Sequence, residues 1–326
     1  MATIRQRNNR WQVIVKRKGH PVLTKTFDLK KDAERWSREH ERLIDIGIVI
    51  DNTKDRQTTL SEVLDRYVKQ VSTTKRGNRA ETYRIESFKR SALSKYALHG
   101  ITPQLIAAWR DNRLTEVSSG TALRELQLLG HVFSVAIREW GFRLPCNPVS
   151  FIRKPQSGCA RDRVLTFSER ALLLSACDQC HNRWIKPVVV FALETAARRG
   201  EILSLTWKDV QLAKQTANFQ VTKAGQPRRI PLSKICCSML ESLPRSSDGR
   251  VFPVSVEALK QAYKRAVARA GISNFTFHDL RHDALTRLAK LGLSILELRS
   301  ISGHTTANML QRYVSIDTGD LATKLG

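Results

Sequence analysis

Two polar stretches without helical or strand periodicity interrupt the hydrophobic pattern of this chain, at residues 46–57 and from Asn147 to about Arg163. Such stretches are typical of linkers between domains. The 326 residues also exceed what one hydrophobic core usually organises. We therefore expect a mainly α-helical, multidomain chain with domains at about 1–50, 58–150 and 163–326.

The first of these domains combines strand-like alternation with one amphipathic helix. Apolar side chains alternate along residues 11–15, a turn follows at 19–21, and a second strand is predicted at 22–27. The next apolar residues recur at helical spacing on one face: Ala33, Trp36, His40 and Leu43. The pattern predicts a small sheet backed by one helix.

Helix-start signals open the other two domains. Thr59 and Glu62 have capping-box spacing, as do Thr166 and Glu169, and Thr102 precedes a proline at a first helical position. The second domain shows only helical periodicity. The third changes to short strands around 219–222 and 228–230 before helices resume, so a mostly helical domain with a small β-sheet is expected.

The net charge of the chain indicates which class of partner it binds. The chain has 55 Lys and Arg against 30 Asp and Glu, a net charge of +25. Nine of these cations lie in residues 1–31 beside the single acid Asp28. Such a field attracts polyanions, and nucleic acid is the leading partner. A solvated basic surface also fits the N-terminal charges.

A membrane role is not expected. The longest apolar stretch, residues 187–197, is too short to cross a bilayer and is interrupted by Glu194. The first residues have the charges of a leader without the apolar run behind them. These features predict a cytoplasmic, DNA-associated protein.

The six cysteines do not follow the regular pattern of a disulfide framework, and we expect them to be reduced. Cys177, Cys180 and His181 match the C-x-x-C-H pattern of haem attachment, but so short a pattern often arises by coincidence. No metal or other cofactor is predicted.

The C-terminal half carries residues suited to phosphodiester chemistry. Such a reaction needs charge stabilisation at the phosphate oxygens, a nucleophile and an acid for the leaving oxygen. Carboxylates that would hold catalytic metals are scattered, whereas arginines can clamp a phosphate directly. Four short pieces supply the required groups: Arg198 with Glu201, His278 with Arg281, Gly303 with His304, and Arg312 with Tyr313.

Each piece alone has a second interpretation. Arg198 beside a second arginine also fits a solvated helix end, and His304 also fits a helix cap. His278 and His282, four residues apart, fit half of a zinc site, although Asp279 stands where glutamate is usual and no third ligand is evident. Tyr313, one turn after Leu310, also fits a core residue.

Taken in order, the pieces resemble the tyrosine recombinase family, also called phage integrases. Its motifs are T-G-x-R-x-x-E, a lysine on a hairpin, H-x-x-R, G-H and a final R-Y, and they match residues 163–318. The helical second domain is similar to the core-binding domain of the family. Residues 1–45 resemble the three-stranded arm-binding domain of phage and genomic-island integrases.

The resemblance implies a catalytic set, with Glu201 in support. That set is Arg198, Lys223, His278, Arg281, His304 and Tyr313. Tyr313 would form a 3'-phosphotyrosyl link, His278 would accept its proton and Lys223 would protonate the leaving 5' oxygen. Two departures stand out: Ala196 replaces the usual glycine, and Ser302 replaces the leucine that often precedes G-H.

The implied function is site-specific recombination that integrates or excises a phage or mobile element. The implied partners are double-stranded attachment sites, a homotetramer on synapsed DNA, and possible excisionase and DNA-bending host factors. We expect further DNA contacts from Arg5, Arg7, Lys16, Arg17, Lys75, Arg76, Arg153, Lys154 and Arg228. A resolvase of chromosome or plasmid dimers and a non-catalytic DNA-binding regulator are the alternatives.

Overall fold

The computed structural model describes residues 2–18, 20, 22–46, 57–75, 77–156, 158, 161, 163–220 and 227–314. Arg76 and Lys223, two of the residues predicted above to be functional, lie outside this part of the chain. The chain divides into two compact units, residues 1–159 and 160–326. The fold is mainly helical, as predicted, with a three-stranded antiparallel sheet in each unit.

The first sheet contains β1 (Ala2–Arg7), β2 (Arg10–Val15) and β3 (Leu23–Phe27) in that order. Asn8 and Asn9, both at positive φ, form the two-residue turn of the β1–β2 hairpin. Helix α1 (Lys30–Asp45) covers the sheet with the apolar face predicted for it, where Ala33, Trp36 and Leu43 pack on Val13 and Val15.

Four helices build the separate hydrophobic core that follows in the same unit. They are α2 (Leu60–Gln70), α3 (Asn78–Arg90), α4 (Pro103–Glu116) and α5 (Ser119–Arg138). The capping box of Thr59 with Glu62 is present, and the Thr102 side chain caps α4. Tyr67, Phe88 and Phe133 are fully buried. The all-helical prediction for this segment is confirmed.

The second unit begins with α6 (Phe167–Asp178), whose N-terminal capping box of Thr166 and Glu169 is also present. Further helices follow along the chain: α7 (Ile185–Thr195), α8 (Arg199–Ser204), α9 (Lys234–Glu241), α10 (Val256–Arg269), α11 (Asp279–Lys290), α12 (Ile295–Ser302) and α13 (Asn308–Gln311). The strongly apolar α7 lies in the core, where Phe191 contacts Phe252 edge to face. Most of the unit packs around this helix.

The second sheet consists of β4 (Val210–Gln211), β5 (Thr216–Phe219) and β6 (Arg228–Pro231), paired antiparallel in that order. Phe219 pairs with Arg228 at the open end of the β5–β6 ladder. The segment that joins these strands includes residues 221–226, which hold Lys223. The strand predicted at 228–230 is confirmed as β6. Of the strand predicted at 219–222, Phe219 lies in β5, which begins at Thr216, and residues 221 and 222 lie outside the described part of the chain.

Helix α11 is joined to the start of the unit by buried carboxylates. Asp283, fully buried, accepts hydrogen bonds from the Leu165 amide (2.9 Å) and from Arg170. Asp279, also buried, accepts from Arg161 at 3.3 Å and from the amide and hydroxyl of Thr276 at 2.7 and 2.8 Å. These bonds fix the position of the helix that carries Arg281 and His282.

Helix α7 ends in a residue that is not glycine although its backbone is left-handed. Ala196 has φ 54° and ψ 21°, and its side chain is fully buried. The left-handed conformation explains why glycine is usual at this position, because a Cβ there costs about 1–2 kcal/mol. The chain nevertheless makes the turn, and the Ala196 carbonyl accepts a hydrogen bond from Arg281 at 2.7 Å.

Within the part of the chain that the structure describes, no helix is both long and apolar enough to cross a membrane.

We predict that Ala196→Val lowers the free energy of unfolding by about 2–3 kcal/mol, because a β-branched side chain is strained at positive φ and overfills a buried position. Ala196→Gly is the matched control. It should stay within about 1 kcal/mol of wild type, because relief of the backbone is offset by loss of a buried methyl group. Urea unfolding followed by hydrogen exchange in residues 160–326 measures both. Equal stability of the two variants would contradict the strained-turn explanation.

Candidate active site

Three consecutive carbonyls at the C-terminal end of α12 each accept a hydrogen bond from a different arginine. Ile301 accepts from Arg228 Nε at 3.0 Å, Ser302 from Arg281 at 2.7 Å, and Gly303 from Arg198 at 3.2 Å. Helix C-termini leave their last carbonyls without intrahelical partners and carry partial negative charge. The end of this helix therefore gathers cations that lie far apart in the sequence.

Glu201 forms ion pairs with two of these arginines. Its carboxylate receives both terminal nitrogens of Arg228, at 2.6 and 2.7 Å, and a hydrogen bond from Arg198 at 2.9 Å. The Arg198 amide donates to it at 2.8 Å. Burial opposes ionisation of the 4% exposed Glu201, but these hydrogen bonds outweigh it and lower the Glu201 pKa. Glu201 is thus an anionic support for two cations.

Arg281 is the most enclosed of the predicted phosphate-holding residues, with 3% of its surface exposed. Its two terminal nitrogens donate to the carbonyls of Ala196 and Ser302, so the end of α7 and the end of α12 hold the same guanidinium. Burial, with the positive charges of Arg198 and Arg228, lowers the pKa of Arg281 to about 9. The side chain is still charged at neutral pH.

His304 lies directly after this helix end. Its Nε2 is 3.4 Å from Arg281, and its Nδ1 is 2.7 Å from the buried Ser302 hydroxyl. Burial, together with Arg281 and Arg198, lowers the pKa of His304 to about 4. The imidazole is therefore neutral at pH 7, and Ser302, a departure from the usual leucine, contributes a polar contact to it.

The phenol of Tyr313 lies near this cluster, within an apolar group that includes Leu298 and Leu310. Its hydroxyl forms a hydrogen bond with Nδ1 of His282, and the two rings are stacked at 29° with centroids 5.7 Å apart. Because His282 directly follows Arg281 in α11, this contact brings the phenol to the helix turn that carries Arg281. Tyr313 is 8% exposed.

The structure brings together most of the residues expected to form the site. Arg198, Arg281 and His304 converge through direct contacts with each other or with Gly303. His278 lies at the start of α11, with its ring 5.1 Å from that of His282. Lys223 falls in the part of the chain that the structure does not describe, so its predicted role stays a prediction.

Open space adjoins the arginines. A cavity of about 650 Å³ is lined by the predicted site residues Arg198, His278 and Arg281, and by Lys260, Tyr263 and Lys264 of α10. Its lining thus combines cationic with apolar side chains. A ligand with a phosphate group could approach the guanidinium groups from this side.

One of the predicted DNA contacts is wrong. Arg228 was expected to contact DNA, but its side chain is only 9% exposed and all three of its guanidinium nitrogens donate within the protein. The desolvated pairing with Glu201 and the contact with the Phe219 ring make it a buried support.

The other expected DNA contacts divide into two groups. Lys75 bonds to Glu81 and the Tyr67 hydroxyl, and Arg17 pairs with Asp45 at 3.0 Å, so these cations already have anionic or polar partners. The side chains of the remaining described residues are exposed: Arg5, Arg7, Lys16, Arg153 and Lys154. These five stay predictions as DNA contacts.

The positions of the candidate ligands do not support the zinc and haem interpretations. Nδ1 of His282 is engaged by Tyr313, and the Cys177 thiol lies in the apolar core, where burial raises its pKa to about 12. Over the described ranges, no three His, Cys, Asp or Glu side chains form a group that could hold a metal ion.

Sequence reasoning missed the roles of two residues. The sequence predicts Arg228 as a DNA contact, because nothing local to it indicates the pairing with Glu201, 27 positions earlier. His282 was considered only as a zinc ligand with His278. Its position one residue after Arg281 was the available signal, since that spacing brings the imidazole to the same helix end as the guanidinium.

Comparison with known proteins agrees with this geometry. Residues 163–319 match the Phage integrase family. The shufflon-specific DNA recombinase of Escherichia coli is 38% identical over 279 residues, which cover 83% of this chain and 72% of that protein.

Two crystal structures of lambda integrase share the fold. One is a dimer bound to a COC' core site, with a TM-score of 0.69, and the other is a tetramer bound to a Holliday junction, with a TM-score of 0.68. Each is 22% identical and covers 96% of this chain and 94% of the other. The likeness extends over both compact units.

We predict that Gly303→Ala disrupts the arginine cluster. Gly303 has φ +65°, and a Cβ on it would lie 3.0 Å from Arg228 Nη1 and 3.1 Å from Arg228 Cδ. The variant should lose about 3 kcal/mol of stability, because displacing Arg228 weakens its buried pair with Glu201 in addition to straining the backbone. Urea unfolding, followed as for Ala196, measures the loss.

Gly292→Ala is the matched control, because Gly292 follows α11 at φ +86° with no atom within 4 Å of its Cβ position. It should lose only about 1 kcal/mol, the backbone cost alone. Equal losses in the two variants would show that the contact with Arg228 is unimportant.

We also predict that His304 makes the unit sensitive to acid. Its folded-state pKa of about 4 lies below the ordinary value of 6.5, so the unfolded state takes up the proton first. Stability from this group is complete above pH 6.5 and is lost as the pH falls towards 4. His304→Gln should reduce the difference between urea unfolding at pH 7 and pH 5, whereas His181→Gln, at an exposed site, should not. An unchanged difference in His304→Gln would contradict the burial argument.

Proposed function

Because this chain belongs to the phage integrase family of site-specific tyrosine recombinases, we propose that it exchanges DNA strands through a covalent bond between Tyr313 and a 3'-phosphate. The observation that supports this role most directly is the convergence of Arg198, Arg281 and His304, with the Tyr313 phenol held by His282, the neighbour of Arg281. Phosphoryl transfer needs this combination of a nucleophile and cationic hydrogen-bond donors.

In the proposed reaction the phosphate is held by Arg198, Arg281 and His304. The two guanidinium groups are fixed by carbonyls of α7 and of the α12 end, so they need little reorganisation when charge develops on the phosphoryl oxygens. His304 is neutral at pH 7 and can donate a hydrogen bond without adding charge. His278, at the edge of the adjoining cavity, is the further proposed contact.

Tyr313 then attacks phosphorus and displaces the 5' oxygen. A phenol with an ordinary pKa of about 10 is a weak nucleophile at pH 7, and the nearby cations favour its ionised form. We propose Lys223 as the acid for the leaving oxygen. Because the phosphotyrosine retains the energy of the broken phosphodiester, the 5'-hydroxyl of a partner strand can reseal it without a nucleotide cofactor.

DNA is the proposed partner of both units. The net charge of +25 favours it, as do the exposed Arg5, Arg7, Lys16, Arg153 and Lys154. We propose residues 1–50 as the arm-binding domain, 58–150 as the core-binding domain and 163–326 as the catalytic domain. A homotetramer on paired sites is proposed on the likeness to lambda integrase, whose tetramer binds a Holliday junction. An excisionase and a DNA-bending host factor are proposed accessory proteins.

Integration and excision of a phage or mobile element is the first candidate for the biological reaction, and the N-terminal basic module favours it. Recombination within a shufflon is the second. It is supported by the 38% identity to the shufflon-specific recombinase over most of this chain.

We predict that the wild-type chain becomes covalently linked to nicked duplexes drawn from a randomised DNA library, because a nick lets the cleaved strand diffuse away before resealing. Tyr313→Phe should still retain DNA but yield no complex that survives denaturation. Tyr83→Phe, at an exposed tyrosine, is the matched control and should behave like wild type. A covalent complex in Tyr313→Phe, or none in wild type on any duplex, would overturn the proposal.

The duplexes recovered in that selection also separate the two biological candidates. Two copies of a recovered duplex report integration when they lie on separate molecules. On one molecule they report excision when they are direct repeats and inversion when they are inverted repeats. Joining of separate molecules, or excision between direct repeats, supports the first candidate. Efficient inversion between inverted repeats with neither of those reactions contradicts it.

A further inference from the structure

We infer that His282 accepts the proton of the Tyr313 hydroxyl during strand cleavage, in place of His278. This role rests on the proposed function of Tyr313 as the nucleophile. The observation that carries it is the hydrogen bond between His282 Nδ1 and the phenolic oxygen, with the two rings stacked.

A general base must lie within hydrogen-bond reach of the proton it removes. His282 meets this requirement and is next in sequence to Arg281, whose guanidinium donates to the Ala196 and Ser302 carbonyls. The backbone of α11 is held further by the buried Asp283. The base and a phosphate-holding arginine therefore share one rigid helix turn.

The surroundings of His282 suit a neutral imidazole. His278, Asp279 and Arg281 face it from its own helix, Arg312 and Tyr313 from the C-terminal segment, and His304 from the turn after α12. Burial, followed by His278 and Arg312, lowers the pKa of His282, and only Asp279 opposes them appreciably. A neutral imidazole carries its single proton on one of the two ring nitrogens. We assign that proton to Nε2, so that the Nδ1 lone pair faces the phenol and can accept its proton.

His278 is placed for a different contact. Its ring stands at 89° to that of His282, and it lines the cavity together with Arg198, Lys260 and Lys264. A group in a cationic wall next to the guanidinium groups is suited to a phosphate oxygen. The two histidines lie one helical turn apart, and His278 would then contact the phosphate while His282 contacts the nucleophile.

The proton balance closes within the site. As the Tyr313 oxygen bonds to phosphorus, its O–H bond breaks and the proton passes to His282 Nδ1, which gives an imidazolium. The P–O5' bond breaks at the same step, and the leaving oxygen takes a proton from the acid proposed as Lys223. When a 5'-hydroxyl reseals the strand, its proton returns to that group and the tyrosine oxygen recovers its own from His282.

The test is the pH dependence of covalent-complex formation in a single turnover, on the nicked duplex recovered above. In wild type the rate should be level around pH 7 and fall as the pH drops through the lowered pKa of His282. His282→Gln can accept the hydrogen bond but not the proton. It should react about 10²–10⁴-fold more slowly at pH 7, and its rate should rise about tenfold per pH unit towards the phenol pKa.

Matched variants decide between the two histidines. His278→Gln should slow the reaction while keeping the wild-type pH profile, and His181→Gln should leave rate and profile unchanged. The inference fails if His278→Gln acquires the alkaline profile, if His282→Gln keeps the wild-type one, or if His282→Gln reacts faster, which would make His282 a restraint on the tyrosine. Absence of any wild-type complex would instead defeat the proposed function.

A measurement on the wild-type protein tests the inference without depending on whether a variant folds correctly. Long-range ¹⁵N–¹H spectra of wild-type His282 should show Nδ1 unprotonated and Nε2 protonated at pH 7. A protonated Nδ1 would mean that His282 donates to the phenol, and the inference would then be overturned.

Discussion

The end of α12 determines the arrangement of the active site. Three successive carbonyls there hold Arg228, Arg281 and Arg198, which come from a strand and two other helical segments. Like charges at such distances repel, so each guanidinium needs acceptors that the protein supplies before the phosphate arrives. The carbonyls provide those acceptors without adding full negative charge, and the cluster stays attractive to an anion.

The supporting residues follow from that constraint. The Glu201 carboxylate contacts two of the arginines directly, and it is buried where water cannot compete for them. Gly303 has no side chain because a Cβ would meet Arg228, and Ala196 adopts a left-handed backbone so that its carbonyl reaches Arg281. Glu201, Gly303 and Ala196 have no place in the proposed reaction, but their positions are constrained by the arginines that they adjoin.

The same rigidity separates the two tasks of the site. The candidate phosphate-holding groups belong to the turn between α7 and α8, to α11 and to the turn after α12, whereas Tyr313 follows the short α13 and packs in an apolar cluster with Leu298 and Leu310. His282 links the two parts, since it lies beside Arg281 in the sequence and beside the phenol in space. A recombinase needs such a link, because the nucleophile must be activated only where a phosphate is held.

The sequence by itself determined the helices, the strands around 11–15 and 228–230, and the capping boxes at Thr59 and Thr166. It also singled out Arg198, Arg281, His304 and Tyr313 as candidate site residues. These depend on local periodicity or on an ordered motif. It did not determine that Arg228 is buried, that Ala196 is left-handed or that His282 rather than His278 meets the phenol. Those outcomes depend on which groups meet across 27 to 85 residues of chain. Only tertiary packing sets such distances, because burial and pairing are properties of the assembled core and not of any segment.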